Sequence, residues 1–121
     1  MKTQIENCEV TGTMLGVEDH GILTFFVYVG GDHWGCSFGG FAMDSWSEIK
    51  QKRVGSAFGC EAIRQILEVL EKDKWEDLKG VPCRAETEGL GGGIVRLGHL
   101  FKDKWVDLKS LASEHRTEAS K

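Results

Sequence analysis

Residues Ile22 to Val29 form an apolar run broken only by Thr24, rich in β-branched and aromatic side chains. Such a run marks a central strand buried on both faces. Gly30-Gly31-Asp32 follows it as a tight-turn signal, and His33 to Met43 reads as the next strand. In that strand Trp34, Cys36, Phe38 and Ala42 fall on one face, and Phe41 and Met43 on the other. Gly35, Gly39 and Gly40 weaken it and point to a bulge or a close backbone approach. Ile5 to Thr13 suits a half-buried strand, and Leu15 to Gly21 reads as a polar loop.

The chain has 16 glycines and one proline, so glycine makes most of its turns. Ser45-Trp46-Ser47-Glu48 fits a capping box and predicts a short helical turn, followed by a basic patch from Lys50 to Arg53. The main helix is expected over residues 56–71, where Gly59, Ile63, Ile66, Leu67 and Leu70 make an apolar stripe. Gly59 would let that helix lie close to the sheet. Asp73 to Lys79 should close it, with Gly80 as the stop. Val81 to Thr87 and Ile94 to Phe101 read as two more strands, joined by the flexible run Gly89-Leu90-Gly91-Gly92-Gly93. Trp105 to Leu108 reads as a last short strand or turn, and Leu111 to Arg116 as a terminal helix. The expected fold is α+β, a mostly antiparallel sheet in the order β-β-β-α-β-β under one main helix. Residues 1–116 are expected to form one domain and 117–121 a frayed tail.

Lys72-Asp73-Lys74-Trp75-Glu76-Asp77-Leu78-Lys79 recurs thirty positions later as Lys102-Asp103-Lys104-Trp105-Val106-Asp107-Leu108-Lys109. Two copies are too few for a solenoid. The segment reads as a charged turn that pins Trp and Leu to the core; a repeated binding epitope is the sharper alternative.

Several classes of function lose ground. Fifteen Lys and Arg against nineteen Asp and Glu give a net charge of −4, so direct nucleic-acid binding is not expected. No apolar run reaches the ~18–20 residues of a membrane span, and Met1 to Asn7 carries no signal-peptide core. Cys8, Cys36, Cys60 and Cys83 lie in apolar segments and read as buried, reduced thiols of a cytoplasmic protein.

The polar clusters give candidate sites. Glu18-Asp19-His20 is the densest; two carboxylates beside an imidazole could hold a divalent cation or act as acid and base. Neighbours on an extended chain point to opposite faces, however, which favours a solvated loop. His33 and Cys36 are two ligands where structural zinc needs four, so no metal is expected. The glycine run 89–93 lacks a P-loop ending and joins two strands, so it reads as a hairpin loop and not a phosphate cradle. Arg84 and Arg96 flank it; they would clamp an anion or pair with Glu86 or Glu88. One or two of Trp34, Trp46, Trp75 and Trp105 should complete the core, leaving others for a partner surface. No triad or nucleophile elbow can be assembled, and no cofactor is expected.

The whole chain resembles a group of short proteins encoded by phages and prophages of gut bacteria, to which no activity is assigned. Leu15 to Ile22, Phe38-Gly39-Gly40-Phe41 with Asp44, Gly59 with Ile63, Trp75 to Gly80, and Gly98-His99 carry the resemblance. It implies a mobile-element accessory protein acting in the host cytoplasm, by analogy a counter-defence factor. Two hypotheses follow. One is a non-enzymatic, anti-CRISPR-like inhibitor docking on a host protein such as a defence nuclease. The other is a small-ligand or nucleotide-sequestering protein. A small metal-dependent enzyme ranks third. The expected binding residues are Glu18, Asp19, His20, His33, Trp34, Arg84 and Arg96. The loop before the first apolar strand and the turn after it lie roughly 25 Å apart, at eight residues of ~3.3 Å each. One small ligand could not span them within a protomer, and homodimerisation is the route by which both would meet.

Overall fold

The computed structural model describes residues 3–18, 20–89 and 93–119. Residues 1 and 2, Asp19, residues 90–92 of the glycine run and the last two residues lie outside them. The strands are β1 (Gln4–Glu18), β2 (Ile22–Gly31), β3 (Trp34–Gly39), β4 (Asp44–Ser47) and β5 (Lys52–Gly55). Helix α1 (Ala57–Leu70) and a 3-10 turn (Trp75–Asp77) follow. The chain ends with β6 (Pro82–Thr87), β7 (Ile94–His99), β8 (Trp105–Val106) and helix α2 (Leu108–Ala119). This is the α+β class that the sequence pattern indicates.

Six strands form one antiparallel sheet in the order β3-β2-β1-β6-β7-β8, and β4 and β5 make a separate hairpin. Strand β1 serves two partners. Gln4 to Glu9 pairs with β6, and Glu9 to Glu18 pairs with β2. The register slips between Val10 and Gly12, which leaves Thr11 as the extra residue of a bulge. A bulge bends its strand and increases the local twist. The sheet curls accordingly, and β3 comes within 8 Å of β7 between Cα atoms although three strands separate them in the sheet order.

The concave face holds the core. Cys8 and Val10, then Phe25, Val27 and Val29, then Cys83, Ala85, Leu97 and Val106 line it from successive strands. Ala62, Ile66, Val69 and Leu70 of α1 close it, with Leu108 and Leu111 of α2. Each large side chain buried in this way contributes about 1.5–3 kcal/mol.

Ser56 starts α1: its Oγ accepts the Gly59 N–H at 3.1 Å and donates to the Met43 carbonyl at 2.9 Å. This joins a helix cap, typically worth about 1 kcal/mol, to a tertiary bond. The helix fills the expected stretch, but Gly80 is not its stop. Glu71 adopts the left-handed conformation (φ 57°), and the Lys72 N–H bonds to the Leu67 carbonyl at 3.0 Å. Asp73 to Lys79 therefore does not extend the helix. Gly80 (φ +90°) instead turns the chain into β6, its N–H bonding the Val10 carbonyl at 2.7 Å.

Other expectations are corrected. The stretch Leu15 to Gly21 is not a loop as a whole: β1 continues to Glu18 because Leu15 and Val17 pair with Phe25 and Leu23. Strand β2 is an interior strand, paired with β1 on one edge and β3 on the other, but its outer face is not fully buried. Phe26 and Tyr28 stack there with ring centroids 5.8 Å apart, and Tyr28 is exposed. Ser45 starts no helix, because Ser45 and Trp46 pair with Val54 and Arg53 in the β4–β5 hairpin; a single helical turn forms instead at the hairpin tip, where the Gln51 N–H bonds to the Ser47 carbonyl at 2.8 Å. Strand β3 stops at Gly39, where an added Cβ would lie 2.5 Å from the Phe25 carbonyl oxygen. Strand β7 stops at His99, short of Phe101. Cys60 is exposed and Cys36 half-buried, so only Cys8 and Cys83 fit the expected buried thiols.

The repeated octapeptide adopts two structures. The first copy makes the 3-10 turn, with Glu76 exposed; the second makes β8, with Val106 fully buried. Leu78 and Leu108 are both buried, as the pinning role requires, whereas Trp75 and Trp105 lie in different environments. Trp75 meets Phe25 edge-on, at 6.0 Å between ring centroids.

Candidate functional site

The expected binding residues separate into three places. Glu18 ends β1, and His20 (φ 57°) with Gly21 (φ 81°) turns the chain into β2. His33 (φ 65°) turns it at the far end of β2, before Trp34. Arg84 and Arg96 lie on the convex face of the other half of the sheet. No one small-molecule site unites these groups.

At the first end, two hairpins leave the domain side by side. Strand β4 begins next to Leu23: the Met43 N–H bonds to the Leu23 carbonyl at 2.8 Å, and the Leu23 N–H to Asp44 Oδ2 at 3.1 Å. Leu23 is also the cross-strand partner of Val17. Asp44 holds the second hairpin through Arg53, whose Nε and Nη2 reach Oδ1 at 3.0 and 2.8 Å. This pairing holds the Asp44 carboxyl below its ordinary range and raises the Arg53 guanidinium. The anchored hairpin exposes Trp46 and, at its tip, Ile49, which is 97% exposed. Leu15 and Val17 are exposed on the adjacent β1–β2 hairpin. Trp46 is one of the tryptophans expected to be available for a partner surface; Ile49 was not foreseen, because the capping-box match hides the hairpin, and its signal is a large apolar residue within a polar stretch.

At the opposite end Trp34 lies over Gly31, where an added Cβ would fall 2.2 Å from the indole nitrogen. Its ring packs against the core. Beside it an open groove of about 610 Å³ runs past Asn7, Thr11 and Pro82, with Cys8 in its lining.

On the convex face the register puts Arg84, Gly98 and Trp105 side by side on successive strands, with Glu86 opposite Arg96. Trp105 covers Gly98, where an added Cβ would lie 2.5 Å from the indole. The guanidiniums of Arg84 and Arg96 sit 4.6 and 4.1 Å from the Trp105 ring centroid. Such contacts contribute about 0.5–1 kcal/mol each at exposed sites. Arg96 pairs with Glu86, one of the expected ion pairs. Arg84 departs from that expectation, donating to the carbonyls of His99 at 2.7 Å and Lys102 at 2.9 Å. Glu86 also accepts from the Thr3 hydroxyl at 2.6 Å. These bonds, Thr3 first and Arg96 second, hold its carboxyl below the ordinary range. The two arginines converge, as an anion clamp would need, but these donor groups are engaged by the protein itself.

A second charged cluster ties α1 to the β7–β8 connection. Glu71 accepts from Lys102 Nζ at 2.6 Å and Lys104 Nζ at 2.7 Å, and His99 Nε2 lies 3.3 Å away. The two lysines, Lys102 first, pull the Glu71 carboxyl down to about 2. A carboxyl depressed on folding stabilises the protein above its unfolded value near 4.5, and that contribution is lost as pH falls toward 2. Glu71→Gln is therefore expected to lower Tm near neutral pH. The gap to wild type should close in melts recorded down to about pH 2, whereas a constant gap would show that the charge is not what matters.

Among the described residues no group of three or more His, Cys, Asp or Glu is placed to hold a metal ion, and no helix is long and apolar enough to cross a membrane. No protein-family model matches the chain, and neither does any curated protein or solved structure.

Proposed function

We propose that this chain is a non-enzymatic binding protein that docks on another protein through the end of the domain where the β1–β2 and β4–β5 hairpins emerge. One observation carries the proposal: Leu15, Val17, Trp46 and Ile49 are all exposed there, on two hairpins held together through Leu23 and Asp44. Large apolar side chains grouped on a rigid protrusion are characteristic of interaction surfaces, and tryptophan is prominent among binding hot spots. Lys50 and Lys52 follow Ile49 in sequence and Glu48 precedes it, which suits an apolar cleft with a charged rim. The resemblance to phage and prophage proteins supplies the setting, a counter-defence inhibitor acting on a host protein such as a defence nuclease in the host cytoplasm. Nucleotide sequestration draws less support, because the Arg84 and Arg96 contacts above engage the groups that would recognise phosphate.

The test is a Trp46→Ala/Ile49→Ser double variant. Removing two hot-spot side chains should weaken capture of the host protein at least ~10-fold, while Tm changes by no more than a few degrees. His20→Ala, at the same end, should have a smaller effect. Unchanged capture by the double variant overturns the proposal. So does a wild-type homodimer that the same substitutions dissociate, since the occupant would then be a second copy of the chain.

A further inference from the structure

The sheet brings two of the four cysteines together. Cys8 on β1 and Cys83 on β6 are direct cross-strand partners, 75 residues apart in the chain, with their sulfur atoms 3.5 Å apart. Directly opposed residues in an antiparallel pair have Cα atoms about 4.5 or 5.5 Å apart, and both values lie within the ~4.4–6.8 Å range of disulfides. The sulfur atoms have to close from 3.5 Å to the ~2.05 Å of a disulfide. The two cysteines differ in access. Cys83 is fully buried, whereas Cys8 keeps 8% exposure and lines the open groove beside Trp34.

We propose that Cys8 and Cys83 are a reversible thiol–disulfide pair, with Cys8 reacting first and a low-molecular-weight disulfide, admitted by the groove, as the oxidant. The Cys8 thiol loses its proton to solvent, and its sulfur attacks one sulfur of the small disulfide RS–SR. That S–S bond breaks and one RS⁻ leaves, taking up a proton as RSH. Cys83 then loses its proton and attacks Cys8 Sγ in the mixed disulfide, expelling the second RS⁻, which is protonated in turn. The protein gives up two electrons and two protons, and RS–SR becomes two RSH. The order follows from access and from the sulfur–sulfur contact. Hydrogen bonding from Cys83 holds the Cys8 thiol below its ordinary range, while that same contact, and then burial, push Cys83 up. A groove of about 610 Å³ falls within the ~300–1,000 Å³ of small-molecule sites, enough for a tripeptide thiol. The product would staple β1 to β6 just before the Thr11 bulge, where β1 passes from one half of the sheet to the other.

The test uses oxidised glutathione on the folded protein carrying Cys36→Ser and Cys60→Ser, which removes the exposed thiol at position 60. Expected are an intact mass lower by two hydrogens and one proteolytic fragment joining the Cys8 and Cys83 peptides. Tm should rise by roughly 5–15 °C, since the bond closes a long loop, and dithiothreitol should reverse all three effects. Adding Cys83→Ala should stop the reaction at one glutathione on Cys8, and adding Cys8→Ala should leave Cys83 unmodified. A folded protein that keeps both thiols under these conditions overturns the proposal, as does a crosslink that forms only in denaturant. A Cys83→Ala variant that stays folded yet takes no glutathione overturns the assignment of Cys8 as the first to react. If either alanine variant fails to fold, the peptide map and Tm of the parent decide alone.

Discussion

Ile66→Asp should abolish cooperative folding. Ile66 is fully buried between α1 and the concave face of the sheet, among Ala62, Val69 and Leu70. The substitution removes a large aliphatic side chain and leaves a carboxylate without a partner in apolar surroundings. Each effect costs several kcal/mol, and their sum, more than about 5 kcal/mol, rivals the ~5–15 kcal/mol stability of a typical domain. The variant should show no cooperative melt and no near-ultraviolet signal from its tryptophans, while Ile66→Val should lose only about 1 kcal/mol. An aspartate variant that melts like wild type would mean that this face of α1 is not buried.

Gly59→Ala is the second large effect, and its sign runs against helix propensity. Alanine in place of glycine in a helix normally gains up to about 1 kcal/mol. At Gly59, however, an added Cβ would lie 2.6 Å from Met43 Cβ, 2.7 Å from the Met43 carbonyl oxygen and 2.8 Å from its Cα. Two of those atoms are backbone, and that carbonyl already accepts from both the Ser56 N–H and its hydroxyl at 2.9 Å. The helix would have to move off the segment before β4, with a net loss of about 2 kcal/mol, within the range of overpacking costs. Gly55→Ala is the control, because nothing lies within 4 Å of its added Cβ. Urea midpoints should fall for Gly59→Ala and stay near wild type for Gly55→Ala. A raised midpoint at position 59 would remove the contact with Met43.

The two predictions mark where the sequence was legible. The stripe containing Ile66 is a repeat along one helix, and burial of that stripe follows from its spacing alone. The role of Gly59 as a point of close approach was also readable, because a glycine that costs helix stability needs a compensating contact. Its partner, Met43, was not readable, since the contact depends on how the segment after β3 crosses the helix. The β4–β5 hairpin was missed for the same reason. Ser45 to Glu48 satisfies a local helix-start pattern, yet cross-strand pairing with Arg53 and Val54 and the Asp44–Arg53 ion pair override it.

The same contrast holds for the candidate sites. Arg84, Glu86 and Arg96 were expected on neighbouring strands, but the Glu86–Arg96 register is what puts the two arginines on one face. The tryptophan between them could not be foreseen, because β8 joins β7 by a register that no local pattern encodes. The octapeptide repeat makes the point within one chain. Nearly identical residues become a 3-10 turn after α1 and a strand after β7, and only the second copy has a valine to bury at its variable position.

By itself the sequence determined the α+β class, the main helix and its buried stripe, and most of the strands, because those properties rest on local periodicity and side-chain chemistry. The tertiary structure alone decided that β1 serves two partners, that the hairpin exposing Trp46 and Ile49 is anchored at Leu23, and that Cys8 meets Cys83. Pairing register and sheet curvature set those placements, and both arise from contacts between residues far apart in the chain.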